Sequence, residues 1–355
     1  IESQDRFEWL LEELVDQDRL AIDTEFHRER TYYPKVALLQ VGWSRGVALI
    51  DPLCVDLEPL SEVIKSDALI VMHAASQDIE VLEQVCKASP KYLFDTQLAA
   101  GFLGMSSPSL ATLHEKELGL KLQKSDRLSD WFTRPLTESQ RNYAASDVAN
   151  LLQIHSQQVE KLIQRGRLAW AEAECAELLV RESTRRRPRD AWKRIKEARK
   201  LKGRSLDIAR SLAAWRESRA AEVDLPVRYV LPDLAIVAIA QKSPSSLEEL
   251  TTVRGVERHH LNKGAGREIL NAISKSDKLP KLSDENFPSK KNRSDLRAAT
   301  VLIAAWLSQM SQDLELDPVL LGTRADIEAL ISGEDNAKMA NGWRDELVCS
   351  TIQNL

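Results

Sequence analysis

The chain is 355 residues long, 43% hydrophobic and 29% charged, with a formal net charge of -5. That length suggests two or three domains of an ordinary soluble globular protein rather than a fibrous or disordered one, and the mild acidity gives no global basic character that would announce nucleic acid. No apolar run reaches the length of a bilayer span, and the four cysteines (Cys54, Cys86, Cys175 and Cys349) form no CxxC pair, which argues against a disulfide framework or a zinc knuckle.

The opening residues IESQDRFEWL lack the basic and apolar regions of a secretory signal. With cysteines so sparse, a reducing cytoplasm is expected; a monomer is the default expectation, and no membrane association is expected. Leu20–Phe26, Lys35–Trp43 and Val47–Asp51 read as three short strands with tight connections, an antiparallel meander. Leu69–His73 is a fourth strand, apolar almost throughout, as suits a strand covered on both faces. Helical periodicity follows over Gln77–Cys86, Asp95–Leu103 and Ser109–Leu118, and one long helix is expected over Glu138–Gln164. Strands followed by strand–helix units argue for an α/β sheet of mixed direction.

Beyond Arg165 the strand pattern nearly vanishes, and Trp192–Lys200, Ser205–Ala221, Asp233–Ala240, Ser246–Leu250 and Ala265–Ile273 read as helices. Lys275–Asp295 is polar, contains prolines and has no periodic apolar face, so it reads as a linker. A repeat spans this linker. AAW at Ala213 and at Ala304 ends one apolar helix, then Pro226 or Pro318 follows, then Asp233 or Asp326 opens the next helix. The two tryptophans, Trp215 and Trp306, stand 91 residues apart, and two copies of one small helical domain is the economical reading.

The segment LAIDTEF sets Asp23 and Glu25 two apart in an otherwise buried strand. Alternation turns both carboxylates to one face and Thr24 to the other. Two carboxylates there repel each other and resist burial unless a cation lies between them, and oxygen-only ligation suits a hard ion such as Mg²⁺ or Mn²⁺. A DTE pair alone is more often solvated charge. HAASQDIEVL adds Asp78 near a helix start, where compensation of the helix dipole is the simpler role. Asp95 in FDTQL reads as a helix N-cap. RNYAASDVANLL places Tyr143 and Asp147 four apart, on one helix face. Together Asp23, Glu25, Asp78 and Asp147 could hold two ions about 3.5–4 Å apart for an in-line phosphoryl displacement, with a tyrosine hydroxyl orienting the water.

At these residues the sequence resembles the ribonuclease D family of DEDD-type 3′→5′ exonucleases, over almost the whole chain. IDTEF, HAASQDIEVL and YAASD match the three family motifs in order. The resemblance implies metal ligation by Asp23, Glu25, Asp78 and Asp147, with Tyr143 positioning the water. A histidine five residues before the last aspartate marks the sibling subclass; Asn142 stands there, so the tyrosine type is implied. TYYPKVALLQVG, FDTQLAAGFLG and DRLSDWFTRPLTESQ also resemble the family. The implied fold is an α/β ribonuclease H-like exonuclease domain with a mixed sheet (1–165), followed by two small all-α helicase-and-ribonuclease-D C-terminal (HRDC) domains. DAWKRIKEARKL, the AAWRE helix and LEELTTVRGV carry the likeness of the first (188–276). The second (293–355) is degenerate, with GWRDEL at Gly342–Leu347 in place of an LxxVRGV stretch. The implied activity is metal-dependent hydrolysis of RNA 3′ ends to nucleoside 5′-monophosphates, including maturation of tRNA precursors, with Mg²⁺ or Mn²⁺ as cofactor.

Candidate substrate contacts follow. Between Arg185 and Arg204 stand eleven basic residues against two acids, and Arg185, Arg186, Arg187 and Lys193 are the candidate phosphate ligands, although a solvated helix face serves equally. Trp192 is placed as core. Phe26, Tyr32 and Tyr33 could stack on unpaired bases. Gln40 and His73 flank the acids and either pack or meet the substrate terminus. His259 and His260 are poor metal ligands, because adjacent histidines on a helix diverge. A DNA exonuclease of repair or proofreading type would use the same acids, but no polymerase or helicase motif accompanies them. An inactive nucleic-acid-binding scaffold would be expected to lack one of the ligands, and all are present.

Overall fold

The computed structural model describes residues 1–121, 129–184, 187–280, 296–334 and 337–349. Its sheet has five strands in the order β3-β2-β1-β4-β5: β1 (Arg19–His27), β2 (Lys35–Trp43), β3 (Gly46–Ile50), β4 (Leu69–Met72) and β5 (Tyr92–Asp95). β2 and β3 pair antiparallel, with Leu39 opposite Ile50 and Trp43 opposite Gly46. β1 and β2 are joined by residues 28–34, too few for the crossover that parallel pairing needs, so they too run antiparallel. β4 lies parallel to both β1 and β5, with Ala21 opposite Val71 and Met72 opposite Asp95. The expected mixed sheet is therefore present, extended by β5, a strand that the sequence reading did not assign.

Helices cover the sheet. α1 (Gln4–Leu14) buries Phe7, Leu10 and Leu14, spaced as one helix face. A short α2 (Ser61–Ile64) leads into β4, and α3 (Ser76–Val85) follows it. α4 (Thr96–Gly101) follows β5, and α5 (Leu110–Leu113) comes next. α6 (Glu138–Ala149) opens on a capping box in which Thr137 and Gln140 bond each other's backbone N–H groups. The expected single helix over Glu138–Gln164 is in fact two. Asn150, at φ -112° and ψ 5°, separates α6 from α7 (Leu151–Gln164). α8 (Leu168–Thr184) is a further helix that the sequence reading did not single out. Among the described residues, no helix is long and apolar enough to cross a membrane.

The chain divides into two compact units. One holds Ile1–Glu25, Ala37–Leu179 and the described residues from 296 to 349; the other holds Phe26–Val36 and the described residues from 180 to 280.

In the second unit, α9 (Gly203–Val223) is the hub and buries Leu206, Ile208, Leu212, Arg216 and Glu217. Around it stand α10 (Val227–Val230), α11 (Asp233–Lys242), α12 (Leu247–Thr251) and α13 (Ala265–Lys275). Arg216 is buried and donates to the Leu231 carbonyl at 2.8 Å and to Asp233 at 2.7 Å, which locks α9 to the start of α11. The expected helix over Trp192–Lys200 is two 3₁₀ segments, Pro188–Arg194 and Ala198–Lys200, with Trp192 buried as expected. His259 and His260 do not diverge: they stand in a 3₁₀ segment with their ring centroids 3.9 Å apart.

In the first unit, α14 (Arg297–Asp313), α15 (Pro318–Leu321) and α16 (Arg324–Ile331) repeat the long–short–long order of α9 to α11. Leu307, Leu316, Leu321 and Trp343 share one buried cluster with Phe94, Phe102 and Val148 of the sheet-bearing part. The departure GWRDEL supplies the anchor. The Trp343 indole donates to Glu174 at 3.1 Å, and the Arg344 guanidinium donates to the same carboxylate and, at 2.7 Å, to the Leu320 carbonyl. Burial works against the charge on Glu174, but Arg344 and Lys338 overcome it and hold the carboxyl below its ordinary pKa.

Candidate active site

β1 is the central strand, and its end carries Asp23 and Glu25 toward α6. One carboxylate oxygen each from Asp23, Glu25 and Asp147 lie within 4.8 Å of one another. The approach of α6 depends on Gly42 in β2. A Cβ there would stand 2.9 Å from the Val148 carbonyl oxygen and 3.4 Å from the Ala21 Cβ, so only glycine lets the helix sit close enough for Asp147 to reach β1. Tyr143, one turn before Asp147, is half-buried with its ring 5.9 Å from that of Trp131.

Asp78 enters from the first turn of α3 and is buried. It is held from β1, where the Thr24 hydroxyl donates to its Oδ1 at 2.5 Å. Burial pushes the Asp78 carboxyl up to about 7 against the pull of that hydrogen bond, and burial alone pushes Asp147 up to about 7. Asp23 rises well above the usual carboxylate range through burial, with repulsion from Asp78, Asp147 and Glu25 adding to it. Four carboxylates thus gather in one partly desolvated site, where burial and mutual repulsion work against their charge. An all-oxygen donor set of this kind fits a hard divalent cation.

Asp95 caps α4 as expected, accepting from Gln97 N–H at 2.8 Å and Leu98 N–H at 3.2 Å. It also accepts from Ala74 N–H at 3.0 Å and Ala75 N–H at 2.9 Å, a second task the sequence reading missed. Thr24 was missed as well, because strand alternation turns it away from Asp23 and Glu25. The one available clue was a hydroxyl within a strand otherwise buried by apolar residues.

The expected substrate contacts fall in several places. Gln40 is fully buried on β2, and neither of its amide atoms has a hydrogen-bond partner among the described residues. His73 follows β4 with its Nδ1 3.0 Å from Thr96 Oγ1, and burial lowers its pKa. Phe26, Tyr32 and Tyr33 belong to the helical unit. There the Tyr32 hydroxyl donates to Glu217 at 2.8 Å, and the Tyr32 and Tyr33 N–H groups both donate to Asp224 at 3.1 Å. Arg187 and Lys193 are exposed, Lys193 lying 2.7 Å from Asp190, whereas Arg185 and Arg186 lie outside the described residues.

A 3′-5′ exonuclease domain matches residues 1–163, and an HRDC domain matches 205–273. Ribonuclease D of Escherichia coli K12 is 34% identical over 353 residues, covering 95% of this chain and 92% of the relative. The chain belongs to the ribonuclease D family. Ribonuclease D of Granulibacter bethesdensis is 33% identical over 338 residues, covering 92% of this chain and 85% of that one. The crystal structure of Escherichia coli RNase D, described as an exoribonuclease involved in structured RNA processing, superposes with a TM-score of 0.85 at 31% identity, covering 100% of this chain and 97% of the other. The protein is accordingly a 3′→5′ exonuclease of ribonuclease D type, with the mixed-sheet nuclease domain and an HRDC domain expected from its sequence.

Proposed function

We propose that this ribonuclease D removes nucleotides one at a time from single-stranded RNA 3′ ends, tRNA precursors included, and releases nucleoside 5′-monophosphates. The observation that carries the site assignment is the meeting of Asp23, Glu25 and Asp147 within 4.8 Å. We assign Asp23, Glu25, Asp78 and Asp147 as ligands of two divalent cations, Mg²⁺ or Mn²⁺, and Tyr143 as the residue that orients the attacking water. The bound cations supply water activation and charge neutralisation at the leaving oxygen. Asp23, on the central strand with the other three acids near it, would be a ligand shared by the site. The Tyr143 hydroxyl, on the same helix face as Asp147, holds the water in line with the terminal phosphodiester. Attack on phosphorus breaks its bond to the 3′ oxygen, which leaves with a proton as the new chain end.

The exposed Arg187 and Lys193, with Arg185 and Arg186, are assigned to phosphates along the RNA. Gln40 and His73 are assigned to the neighbourhood of the scissile end, and Phe26, Tyr32 and Tyr33 to stacking. The domain division is taken as 1–165, 188–276 and 293–355, the last a degenerate HRDC-like copy, and the protein as a cytoplasmic monomer. Free cysteines at Cys54, Cys86 and Cys175 suit a reducing compartment.

The test is a digestion time course on 5′-labelled RNA and DNA of one sequence, with Mg²⁺, with Mn²⁺ and with chelator, alongside Asp147→Ala. A metal-dependent ladder shortening from the 3′ end of RNA, absent in the variant, is the expected result. A ladder on DNA alone would transfer the protein to DNA metabolism, and none on either would leave a binding scaffold.

A further inference from the structure

The Asp95 carboxylate joins two parts of the chain. Its Oδ1 accepts from Gln97, Leu98 and Ala74, and its Oδ2 accepts from Ala75. Two of these donors start α4, which is the ordinary work of an N-cap. The other two lie across the sheet in the turn between β4 and α3, brought within reach because Asp95 stands opposite Met72 in the β4–β5 register.

That turn is under strain. Ala74 has φ 58°, the left-handed region that a residue with a Cβ enters only at a steric cost. The turn feeds directly into α3, whose N-cap, Ala75, has no side chain able to cap it. Asp78 lies in the first turn of this helix, with Thr24 on its Oδ1. The direction in which α3 leaves the sheet therefore sets where Asp78 falls, and Asp95 holds that direction from the neighbouring strand.

We propose that Asp95 is a positioning residue of the nuclease site: by clamping the Ala74–Ala75 turn it holds Asp78 where the cation site needs a fourth carboxylate. The proposal rests on Asp78 being a cation ligand, and groups that orient ligands from behind typically change metal affinity by about 10–100-fold.

The variants are Asp95→Ser, which keeps one oxygen for the α4 cap but cannot span to Ala75, Asp95→Asn, which keeps Oδ1 as an acceptor but sets an amide donor against the Ala75 N–H, and Asp78→Asn. Each is measured for Mn²⁺ affinity by calorimetry without substrate, for kcat and KM on a short RNA, and for thermal unfolding. Asp95→Ser is expected to weaken Mn²⁺ binding about tenfold and to lower kcat more than KM, while still unfolding cooperatively. Asp95→Asn is expected to weaken both less, and it decides the matter if Asp95→Ser does not fold. Placed in the Asp78→Asn background, Asp95→Ser is expected to cause no further loss of affinity. Loss of stability with unchanged Mn²⁺ affinity and kcat would overturn the proposal, as would losses that multiply in the double variant. If Asp78→Asn alone binds Mn²⁺ like the wild type, the ligand assignment itself falls.

Discussion

The indoles of Trp170 and Trp343 stack, with centroids 5.2 Å apart and planes inclined by 17°. Trp170 belongs to α8 and Trp343 to the last described segment, so this pair joins the C-terminal helices to the nuclease domain. Phe102 meets the same Trp343 ring edge-on at 5.2 Å. Trp343→Ala should therefore cost about 3–5 kcal/mol. Arg344→Ala should cost a similar amount, because it leaves Glu174 buried beside a weakened set of partners. Urea denaturation of each variant measures this, and a loss below about 1 kcal/mol would show that the C-terminal helices do not brace the nuclease domain.

The acidic cluster gives a prediction of opposite sign. Asp147→Asn removes one of the mutually repelling, partly desolvated carboxylates. Without metal, its unfolding free energy should match the wild type or exceed it by about 1 kcal/mol. Activity should fall by roughly a thousandfold, since a bound cation contributes several kcal/mol of charge stabilisation. Tyr143→Phe should lower kcat by about a hundredfold with KM unchanged. Urea denaturation in chelator and steady-state kinetics on a short RNA separate the two effects.

Gly42→Ala tests how closely α6 must approach the sheet. The new methyl would lie 2.9 Å from a backbone oxygen of Val148, which cannot rotate aside. A destabilisation of about 1–3 kcal/mol is expected. Mn²⁺ affinity should fall with it, because the displaced helix carries Asp147. Wild-type affinity in a destabilised Gly42→Ala protein would show that the metal site tolerates a shift of α6.

His155 carries a pH dependence. Burial, reinforced by the Arg19 charge, lowers its pKa from 6.5 to about 4, and Arg19 lies 3.1 Å from its Nδ1. The unfolded chain thus binds the proton more readily than the folded one. This contribution is fully present above pH 6.5 and is lost as pH falls toward 4, by about 3 kcal/mol at the limit. His155→Gln should flatten that part of the stability profile, as followed by urea denaturation between pH 7 and pH 4.5. An unchanged slope would assign the acid sensitivity to other groups.

The strands that bear the site were legible because apolar runs and alternation mark β1, β2 and β4 directly. Asp23 and Glu25 share a strand face as alternation implied, and Asp147 meets them as the family resemblance implied. What escaped was set by tertiary contact. Apolar periodicity runs unbroken through Asn150, so the division between α6 and α7 leaves little trace in the pattern. β5 is four residues long and flows into α4. Strand alternation turns Thr24 away from its acidic neighbours, and only the path of α3 brings Asp78 to its hydroxyl. Tyr32 and Tyr33 read as exposed aromatics of a loop, whereas the partners they use, Glu217 and Asp224, lie some two hundred positions onward.

The order in which these ligands enter the chain has a consequence in time. Asp23, Glu25 and Asp78 come early, but Asp147 is carried by α6 and reaches the trio only when that helix has closed over Gly42. A growing chain still lacking α6 holds an incomplete set of carboxylates. With these acids as the proposed ligands, hydrolysis has to wait until α6 has been made and has closed over Gly42, and the 206 residues that follow α6 add none of the four carboxylates.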